Sequence, residues 1–347
     1  MHFLKNTILV LDIKRVLIVA GFIIAFIILL PLALIGTSKE AKEKSIQLPP
    51  QENTSLEKEE SALDILNGDI KVYISKEDRI ETISFEEYIK GVVSSEMLVS
   101  FEMEALKAQA IAARNFSLNK IKYKCTQAKG ADLCDTVHCQ VYKSKETKIK
   151  EWGKNGEDNY KKISQAVDNT KGEFMYYDKK LVTAAQFFAT SSGKTENSKD
   201  VFGGNHPYLK SVVSLGEEEA PKYKSTKTLK LASFINTINK AYPKANLSSK
   251  NIKTALSIKS KTEGGSVNEI KIGSETIRGV DFRKLFDLNS ANFTLKFDKD
   301  SVTIDCLGYG HGVGMSQWGA NAMAKNGSNY KDILSHYYSG INIKKVY

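Results

Sequence analysis

The sequence predicts an α+β protein, with mixed helices and antiparallel sheets in one domain and a transmembrane helix at the N-terminus. Three observations lead to this prediction. A run without charged residues occupies positions 16–36. Short segments further on alternate apolar and polar residues as strands do, and several others repeat apolar residues with the period of a helix. The composition, 41% hydrophobic and 26% charged over 347 residues, is that of a globular protein and excludes a wholly disordered chain.

The uncharged run near the N-terminus predicts membrane anchoring. It extends from Val16 to Gly36, and at about 1.5 Å per residue it can cross the roughly 30 Å hydrocarbon core of a bilayer. Lys14 and Arg15 directly precede it, so the positive-inside rule places residues 1–15 in the cytoplasm. No convincing small-residue cleavage site follows, which favours an uncleaved anchor over a signal peptide.

The residues after the anchor predict a tether and then one folded domain. Residues 37–67 are rich in Lys, Glu, Gln and Ser, and this composition cannot build a core, so we expect a flexible linker. Residues 68–347 form the predicted extracytoplasmic domain. The net charge of +10 favours an anionic surface or polymer as partner. Because the domain lies outside the membrane, we expect no nucleic acid among its partners.

The domain is predicted to begin with two strands and two helices. The segment IKVYIS from Ile70 alternates apolar and polar residues, and a second strand is predicted at 80–83. Ser84 precedes an acidic first turn as an N-cap, and apolar residues at helical spacing then predict a helix that delivers Glu96. A second helix, predicted to start near 101–102, has faces of alanines that another element can approach closely.

Glu96, between these two helices, is a candidate acid. A carboxyl that follows an apolar turn and faces an alanine-rich helix is desolvated, and desolvation raises its pKa toward the range of a general acid. The spacing alone fits a solvated turn residue or an N-terminal helix acid at least as well.

The stretch KCTQAKGADLCDTVHCQVYK contains four potential metal ligands within fifteen residues. They are Cys125, Cys134, His138 and Cys139. Three thiolates and one imidazole make a closed tetrahedral Zn²⁺ site of the structural type. Adjacent His138 and Cys139 can bind one ion only if the backbone bends between them.

Two alternatives to this zinc site stay open. A disulfide, Cys125 with Cys134 or Cys139 with Cys306, is compatible with a domain outside the reducing cytosol. If a metal is bound, His311 or a water is the alternative to Cys125 as the fourth ligand.

Two later loops are candidates for ligand binding. The pattern first predicts a helix within 152–170 and a hairpin of strands 172–177 and 180–185. The polar loop that follows the hairpin, QFFATSSGKTENSKDVFGG, contains Ser191 and Ser192; such loops on a rigid sheet commonly bind ligands, although a solvated turn is the usual outcome.

The second candidate loop is the glycine-rich run GYGHGVGMSQWGANAMAKNG at 308–327. It precedes a predicted helix over 316–325, and its spacing is not that of a dinucleotide fingerprint. A histidine in a glycine turn is commonly structural, so the run alone does not identify a site. Its polar residues are Tyr309, His311, Ser316 and Gln317.

The region 215–290 contains no catalytic constellation and is a possible subdomain. GEEEAPKYK is predicted to be a charged surface loop. Helices are predicted at 233–242, 248–256 and 277–288, with a hairpin of strands 257–262 and 267–272.

Three of these motifs resemble one known family. YIKGVVSSEM followed by EALKAQAIAAR, the segment CDTVHCQVY and the run from Gly308 to Gly319 are similar to the stage II sporulation protein D family, which are membrane-anchored lytic transglycosylases of spore-forming bacteria. The resemblance covers residues 68–347. It implies that Glu96 is catalytic and that the Cys-His-Cys cluster binds structural zinc. The family loop Thr-Ser-Gly-Gly-x-Thr lines a cleft, and here Ser192 replaces its first glycine.

The resemblance further implies a substrate and a setting. Such proteins cleave the bond between N-acetylmuramic acid and N-acetylglucosamine in peptide-stripped glycan strands of peptidoglycan and leave 1,6-anhydro ends. They work with a membrane-anchored cell-wall amidase during engulfment of the forespore, in the mother-cell membrane. A lytic transglycosylase needs one carboxyl, whereas a glycoside hydrolase uses two, and no second acid is paired with Glu96 by motif. We expect the sugar to be held by Ser191, Ser192, Tyr309, His311, Ser316 and Gln317.

Two other functions stay open. Relatives in this superfamily are described as amidase enhancers, so a non-catalytic wall-binding protein is the first alternative. The second is a zinc-dependent wall hydrolase, in which His138 and the cysteines activate water; three thiolates argue against it, because they usually make a closed structural site.

Overall fold

The structure, a computed structural model, describes residues 68–347. The predicted cytoplasmic segment, transmembrane helix and linker, 1–15, 16–36 and 37–67, lie outside the described residues. Within the described part, no helix is long and apolar enough to span a bilayer. The domain mixes helices with small, mostly antiparallel sheets, so the predicted α+β class is confirmed.

The ten helices of the described residues are distributed along the whole domain. They are α1 (Phe85–Glu96), α2 (Met103–Tyr123), α3 (Lys145–Trp152), α4 (Gly156–Asp168), α5 (Ser198–Phe202), α6 (Leu231–Ala241), α7 (Ile252–Ala255), α8 (Gly279–Leu285), α9 (Gln317–Lys325) and α10 (Tyr330–Tyr337). Short 3₁₀ turns occur at Gly153–Asn155, Glu217–Glu219 and Pro243–Ala245.

Fourteen strands of the described residues form five small sheets. The strands are β1 (Asp69–Ile74), β2 (Arg79–Ser84), β3 (Leu133–Cys134), β4 (Glu173–Tyr177), β5 (Lys180–Leu181), β6 (Phe187–Phe188), β7 (Lys224–Lys230), β8 (Leu256–Lys261), β9 (Val267–Ile272), β10 (Glu275–Arg278), β11 (Phe293–Phe297), β12 (Ser301–Leu307), β13 (Met315–Ser316) and β14 (Asn342–Lys345). The sheet orders are β2-β1-β3, β14-β4-β5, β13-β6, β10-β9-β8 and β11-β12-β7. Among these strands of residues 68–347, only β1 with β3 and β6 with β13 pair in parallel.

Helix α1 forms as the sequence predicts. The Ser84 hydroxyl accepts a hydrogen bond from the Glu87 N–H at 3.4 Å and caps the helix. The apolar positions at helical spacing are buried. A side chain at Gly91 would overlap the ring of Tyr142, so the glycine lets the segment after the cysteine cluster pack directly on α1.

The first core surrounds α2, which contacts α1, α4, α9 and α10. Its alanines are fully buried, in agreement with the predicted close approach. Arg114 of α2 is also fully buried. It pairs with Glu86 of α1 at 2.7 Å and donates to the Val167 carbonyl of α4 at 2.8 Å. This one guanidinium therefore joins three helices.

A second core is built by residues 224–307. Helices α6 and α8 cover the sheets β11-β12-β7 and β10-β9-β8, and stacked phenylalanines fill the space between them. Phe234 stacks on Phe286 at 4.7 Å and Phe282 on Phe293 at 4.9 Å between ring centroids. The helix predicted at 277–288 begins only at Gly279, because residues 275–278 pair with β9 as strand β10.

Two other local predictions need correction, and one helix was not predicted. Only Ile252–Ala255 of the helix predicted at 248–256 is helical, and helix α3 was not predicted. GEEEAPKYK is not wholly a surface loop, because Glu217 is fully buried while Glu218 and Glu219 are exposed. The run of three acids gives no sign that one side chain turns inward.

Candidate active site

Glu96 is the last residue of α1, and its side chain is half-buried. The chain becomes extended at Met97 and turns toward α2. The Val141 N–H donates to Glu96 Oε1 at 2.8 Å, and the Gln317 side chain also hydrogen-bonds the carboxyl. Burial raises the pKa of Glu96 above its usual value, while the Val141 N–H and Gln317 act in the opposite direction. A carboxyl with a raised pKa suits a general acid.

Gln317 reaches Glu96 because α9 starts against the first core. It is the first residue of α9, and its Nε2 lies 3.4 Å from Oε1 of the fully buried Gln109 in α2. Nearby, the side chain of Asn321 accepts the Glu102 N–H at 2.8 Å. Two residues of α9 therefore hold the junction between α1 and α2.

The cysteine and histidine ligands predicted from the sequence come together. The ligand atoms of Cys125, Cys134, His138 and Cys139 all lie within 4.8 Å of one another. Cys125 Sγ is 3.1 Å from His138 Nδ1, and the Cys139 N–H donates to the Thr136 carbonyl at 3.0 Å, which bends the backbone as a shared ion requires. All four cysteines of the chain are free, so neither alternative disulfide is formed. Three sulfur atoms and one ring nitrogen at this separation fit tetrahedral Zn²⁺.

The cysteine cluster lies next to the Glu96 site along the chain and in space. Val141, whose N–H binds Glu96, follows Cys139 by two residues, and Tyr142 then stacks on Tyr88 of α1 at 5.3 Å between ring centroids. Burial raises the pKa of the Tyr88 phenol, and the nearby groups that add to this effect include Cys139 and Glu96. The cluster thus fixes the segment that supplies a hydrogen-bond donor to the candidate acid.

A small polar cleft lies between the polar loop after β6 and the glycine-rich loop, on the side of the second core. Ser192, Lys194 and His311 line it, with Asn292 from the second core. The ring of His311 contacts those of Phe188 and Phe202, and burial, with the nearby positive charge of Arg283, lowers its pKa to about 3. His311 is therefore neutral, and its Nδ1 accepts the Val313 N–H at 3.1 Å.

Glu196 also lines the cleft and was not singled out from the sequence. Its side chain is 2% exposed, and Oε1 accepts the Ser266 N–H at 3.2 Å. Its Oε2 has no hydrogen-bond partner among residues 68–347. Burial raises the pKa of this carboxyl, and the hydroxyls of Thr262 and Ser266 oppose the rise. A side chain at Gly264 or at Gly312 would overlap Glu196, so the two glycines let the loops close over it.

The residues predicted to bind substrate fall into three places. Gln317 lies at Glu96, and Ser192 and His311 lie in the cleft. Tyr309 lies on the neighbouring turn with the Lys222 ammonium 4.6 Å above its ring. Ser191 and Ser316 are buried, and both hydrogen-bond Glu217. Ser191 binds Glu217 through its backbone N–H and also lines the cleft, whereas the Ser316 side chain supports the loop and does not line the cleft.

Three groups at the site were missed from the sequence. They are the Val141 N–H, Glu196 and Glu217. A backbone donor leaves no signal in a sequence. Glu196 lies within the polar loop that was singled out, and its membership of that loop was the only indication in the sequence. Glu217 had none.

The fold and site define a class of α+β proteins with one half-buried glutamate beside a cluster of three cysteines and a histidine. Residues 73–177, which include both features, match the family described as stage II sporulation protein. The chain is 37% identical over 344 residues to stage II sporulation protein D of Bacillus subtilis strain 168, which covers 96% of each chain. It therefore belongs to the stage II sporulation protein D family, whose role is in sporulation.

Two further relatives extend this comparison. Stage II sporulation protein D of Bacillus amyloliquefaciens is 40% identical over 279 residues, covering 80% of this chain and 79% of the relative. A protein named amidase enhancer, from Bacillus subtilis strain 168, is 30% identical over 302 residues, covering 74% of this chain and 40% of that protein. The family resemblance predicted from the motifs is confirmed.

Proposed function

We propose that this chain is a peptidoglycan lytic transglycosylase of spore formation. It would cleave the bond between N-acetylmuramic acid and N-acetylglucosamine in peptide-stripped glycan strands during engulfment of the forespore. The observation that carries the proposal is the environment of Glu96, a half-buried carboxyl with a raised pKa and two hydrogen-bond donors that stabilise its charged form.

The reaction needs one group that first gives and then takes a proton. Protonated Glu96 donates its proton to the glycosidic oxygen, and the bond from that oxygen to C1 of the muramic sugar breaks. The Glu96 carboxylate then removes the proton of the C6 hydroxyl as its oxygen attacks C1. The product is a 1,6-anhydro sugar, the acid is regenerated and no water is consumed. Such proton transfers contribute roughly 10²- to 10⁴-fold in rate.

The surroundings of Glu96 support both halves of this cycle. Burial keeps the carboxyl protonated at a higher pH than an exposed glutamate, which the first step needs. The Val141 N–H and Gln317 stabilise the carboxylate that exists between the two steps. A purely apolar pocket would favour the acid and oppose its ionisation.

The cleft between the polar loop and the glycine-rich loop supports binding of a polar ligand. Ser192, Lys194 and Asn292 present a hydroxyl, an ammonium and an amide to it, and His311 adds an aromatic face. These groups suit the hydroxyl and N-acetyl substituents of a glycan. In this proposal Ser191 contributes at the wall of the cleft and Tyr309 at its edge, while Ser316 acts through the loop that it holds.

We assign a structural zinc ion to Cys125, Cys134, His138 and Cys139. All four donor atoms lie within 4.8 Å of one another, and sulfur-rich sets of this kind close the coordination sphere. The ion would supply no chemistry to the reaction. It would fix the turn that leads to Val141 and thereby the donor on Glu96.

The setting proposed for the reaction follows from the family and from the anchor segment predicted in the sequence. Residues 16–36 would hold the protein in the mother-cell membrane with its N-terminus in the cytoplasm, and the domain would act outside, facing the forespore. A membrane-anchored amidase that removes stem peptides would supply the stripped glycan.

The decisive experiment compares the full-length chain in detergent with its Glu96→Gln variant. Each is incubated with peptide-free glycan strands, and the products are analysed by mass spectrometry. Anhydro-ended fragments from the unchanged chain, and none from the variant, are expected. Reducing-end products would contradict the proposal, because they would mean hydrolysis by a water-activating group.

The second candidate function is that of a non-catalytic amidase enhancer. The name of the relative that is 30% identical favours it. It predicts that glycan binds to both proteins without cleavage, and that Glu96→Gln retains full stimulation of a cell-wall amidase in a reconstituted assay.

A further inference from the structure

Glu217 is a buried carboxyl that forms no ion pair with any of residues 68–347. It begins the 3₁₀ turn Glu217–Glu219, and its side chain has no exposed surface, whereas Glu218 and Glu219 are exposed. Burial raises its pKa to about 7, and the groups that oppose the rise are two serine hydroxyls and one backbone N–H. Burial of an ionisable carboxyl costs free energy of folding unless its hydrogen bonds offset that cost. The contacts of Glu217 therefore indicate its structural role.

The contacts of Glu217 come from three separate segments. Its Oε2 accepts the Ser191 N–H at 3.1 Å and the Ser316 hydroxyl at 2.9 Å. Its Oε1 accepts the Ser214 hydroxyl at 2.5 Å, and that hydroxyl lies 2.7 Å from the hydroxyl of Tyr337 in α10. One side chain therefore joins the polar loop, the start of α9 and, through Ser214, α10.

The helix makes room for this arrangement. Gly319 lies in the first turn of α9, and a Cβ there would come within 2.7 Å of Glu217 Oε1 and overlap the Tyr337 hydroxyl. The Ser316 hydroxyl, besides donating to Glu217, accepts the Gly319 N–H at 3.3 Å as the N-cap of α9. The Glu217 carboxylate thus sets the position of the hydroxyl that starts the helix.

Two residues of the site directly follow residues that contact Glu217 in the chain. Gln317 follows Ser316 and reaches Glu96, and Ser192 follows Ser191 and lines the cleft. A shift of either serine would move the next side chain, and displacements of about 1 Å can cost roughly 100-fold in rate.

We propose that Glu217 is a positioning residue that holds the start of α9 so that Gln317 stays hydrogen-bonded to Glu96, and that holds the polar loop at the wall of the cleft. This inference rests on the proposed role of Glu96 as the acid. It assigns Glu217 no contact with substrate. Its effect on the reaction passes through Ser316 and Ser191.

The test measures the protonation of Glu96 directly. The full-length chain in detergent is treated with a water-soluble carbodiimide and an amine at a series of pH values, and amidation of Glu96 is quantified by peptide mass spectrometry. Because protonated carboxyls react, the pH profile reports the apparent pKa of Glu96. The variants are Glu217→Ala and Ser316→Ala, with Gln317→Ala as reference and Glu218→Gln as the matched control in the same turn.

The expected result is an upward shift of the Glu96 profile in Glu217→Ala and in Ser316→Ala, in the direction of Gln317→Ala, since each change removes or displaces a group that lowers this pKa. Glu218→Gln should leave the profile unchanged. On glycan, Glu217→Ala should lower kcat at least about tenfold. If Glu217→Ala does not fold, Ser316→Ala decides, because it keeps the carboxylate and its other two bonds.

The inference and the proposed function fail in different ways. A Glu96 profile that is unchanged in Glu217→Ala and Ser316→Ala, with only a lower melting temperature, would overturn the positioning role even if the chain cleaves glycan. Absence of anhydro products from the unchanged chain would refute the proposed reaction, while the amidation profile would still report whether Glu217 positions Gln317.

Discussion

Replacement of Glu217 by glutamine should change how the stability of the domain depends on pH. The pKa of Glu217 is about 7 in the folded protein, against its ordinary 4.5. The folded state therefore binds more protons than the unfolded state between these two values, and the free energy of unfolding falls as the pH rises through this window. The Glu217→Gln variant has no such proton to lose, so its stability should not show this decrease.

The magnitude follows from the size of the shift. One pKa unit corresponds to about 1.4 kcal/mol, so the rise from 4.5 to about 7 corresponds to a loss of about 3 kcal/mol across the window. The stability of the unchanged chain relative to Glu217→Gln should fall by an amount of this order from pH 4.5 to pH 8. Most of the fall should lie between pH 4.5 and pH 7. Above pH 7 the carboxyl is ionised in the folded state as well, so the two states no longer differ in bound protons.

Urea unfolding of the full-length chain in detergent at several pH values would measure this difference. Glu218→Gln, which removes an exposed charge from the same turn, is the control and should run parallel to the unchanged chain. Parallel curves for Glu217→Gln and the unchanged chain would refute the reasoning, because they would mean that the Glu217 carboxyl is no harder to ionise in the folded state.

Three further predictions concern the framework of the site. Arg114→Met leaves Glu86 without its buried partner and should lower the free energy of unfolding by about 3 to 5 kcal/mol in urea titrations; a loss below 1 kcal/mol would contradict the role given to this guanidinium. Gly319→Ala should lower the melting temperature, since its Cβ overlaps the Tyr337 hydroxyl and costs about 1 to 3 kcal/mol, and an unchanged melting temperature would speak against the close packing there. Removal of zinc by a chelator should lower the melting temperature and glycan cleavage together, with Cys139→Ser as the equivalent mutation; loss of cleavage at an unchanged melting temperature would favour the zinc-hydrolase alternative.

Local signals in the sequence were enough to predict the elements that position Glu96. The Ser84 cap and the apolar spacing gave α1, and its C-terminal end falls at Glu96 as expected. The hairpin between β4 and β5 was also predicted at Asp178 and Lys179. Both residues adopt positive φ, 47° and 64°, as a two-residue hairpin turn requires. These features depend on residues that are close together in the chain, so local sequence patterns are enough to predict them.

The hydrogen bonds that complete the site connect residues far apart in the chain. Glu96 and Val141 are 45 positions apart, and Ser316 and Glu217 are 99 apart. Their meeting depends on how the helices pack, which no local pattern encodes. The same reason explains why Ser316, predicted to contact sugar, is buried as a helix cap bonded to Glu217. Serine at a helix start fits either role, and only the packing of the glycine-rich loop decides between them.

The balance of groups around Glu96 is what makes a single carboxyl sufficient in the proposed reaction. The pKa of an acid that must also act as a base cannot be raised without limit, since a carboxyl that resists ionisation cannot give its proton to the glycosidic oxygen. Burial on α1 raises the pKa, and two donors from distant segments hold the rise in check. One donor follows the cysteine cluster and the other starts the helix that Glu217 holds. The cysteine cluster and Glu217 therefore each act on one of the two donors to the same carboxyl. The loss of either donor should make Glu96 a weaker acid and a stronger base, and so impair proton donation more than proton return.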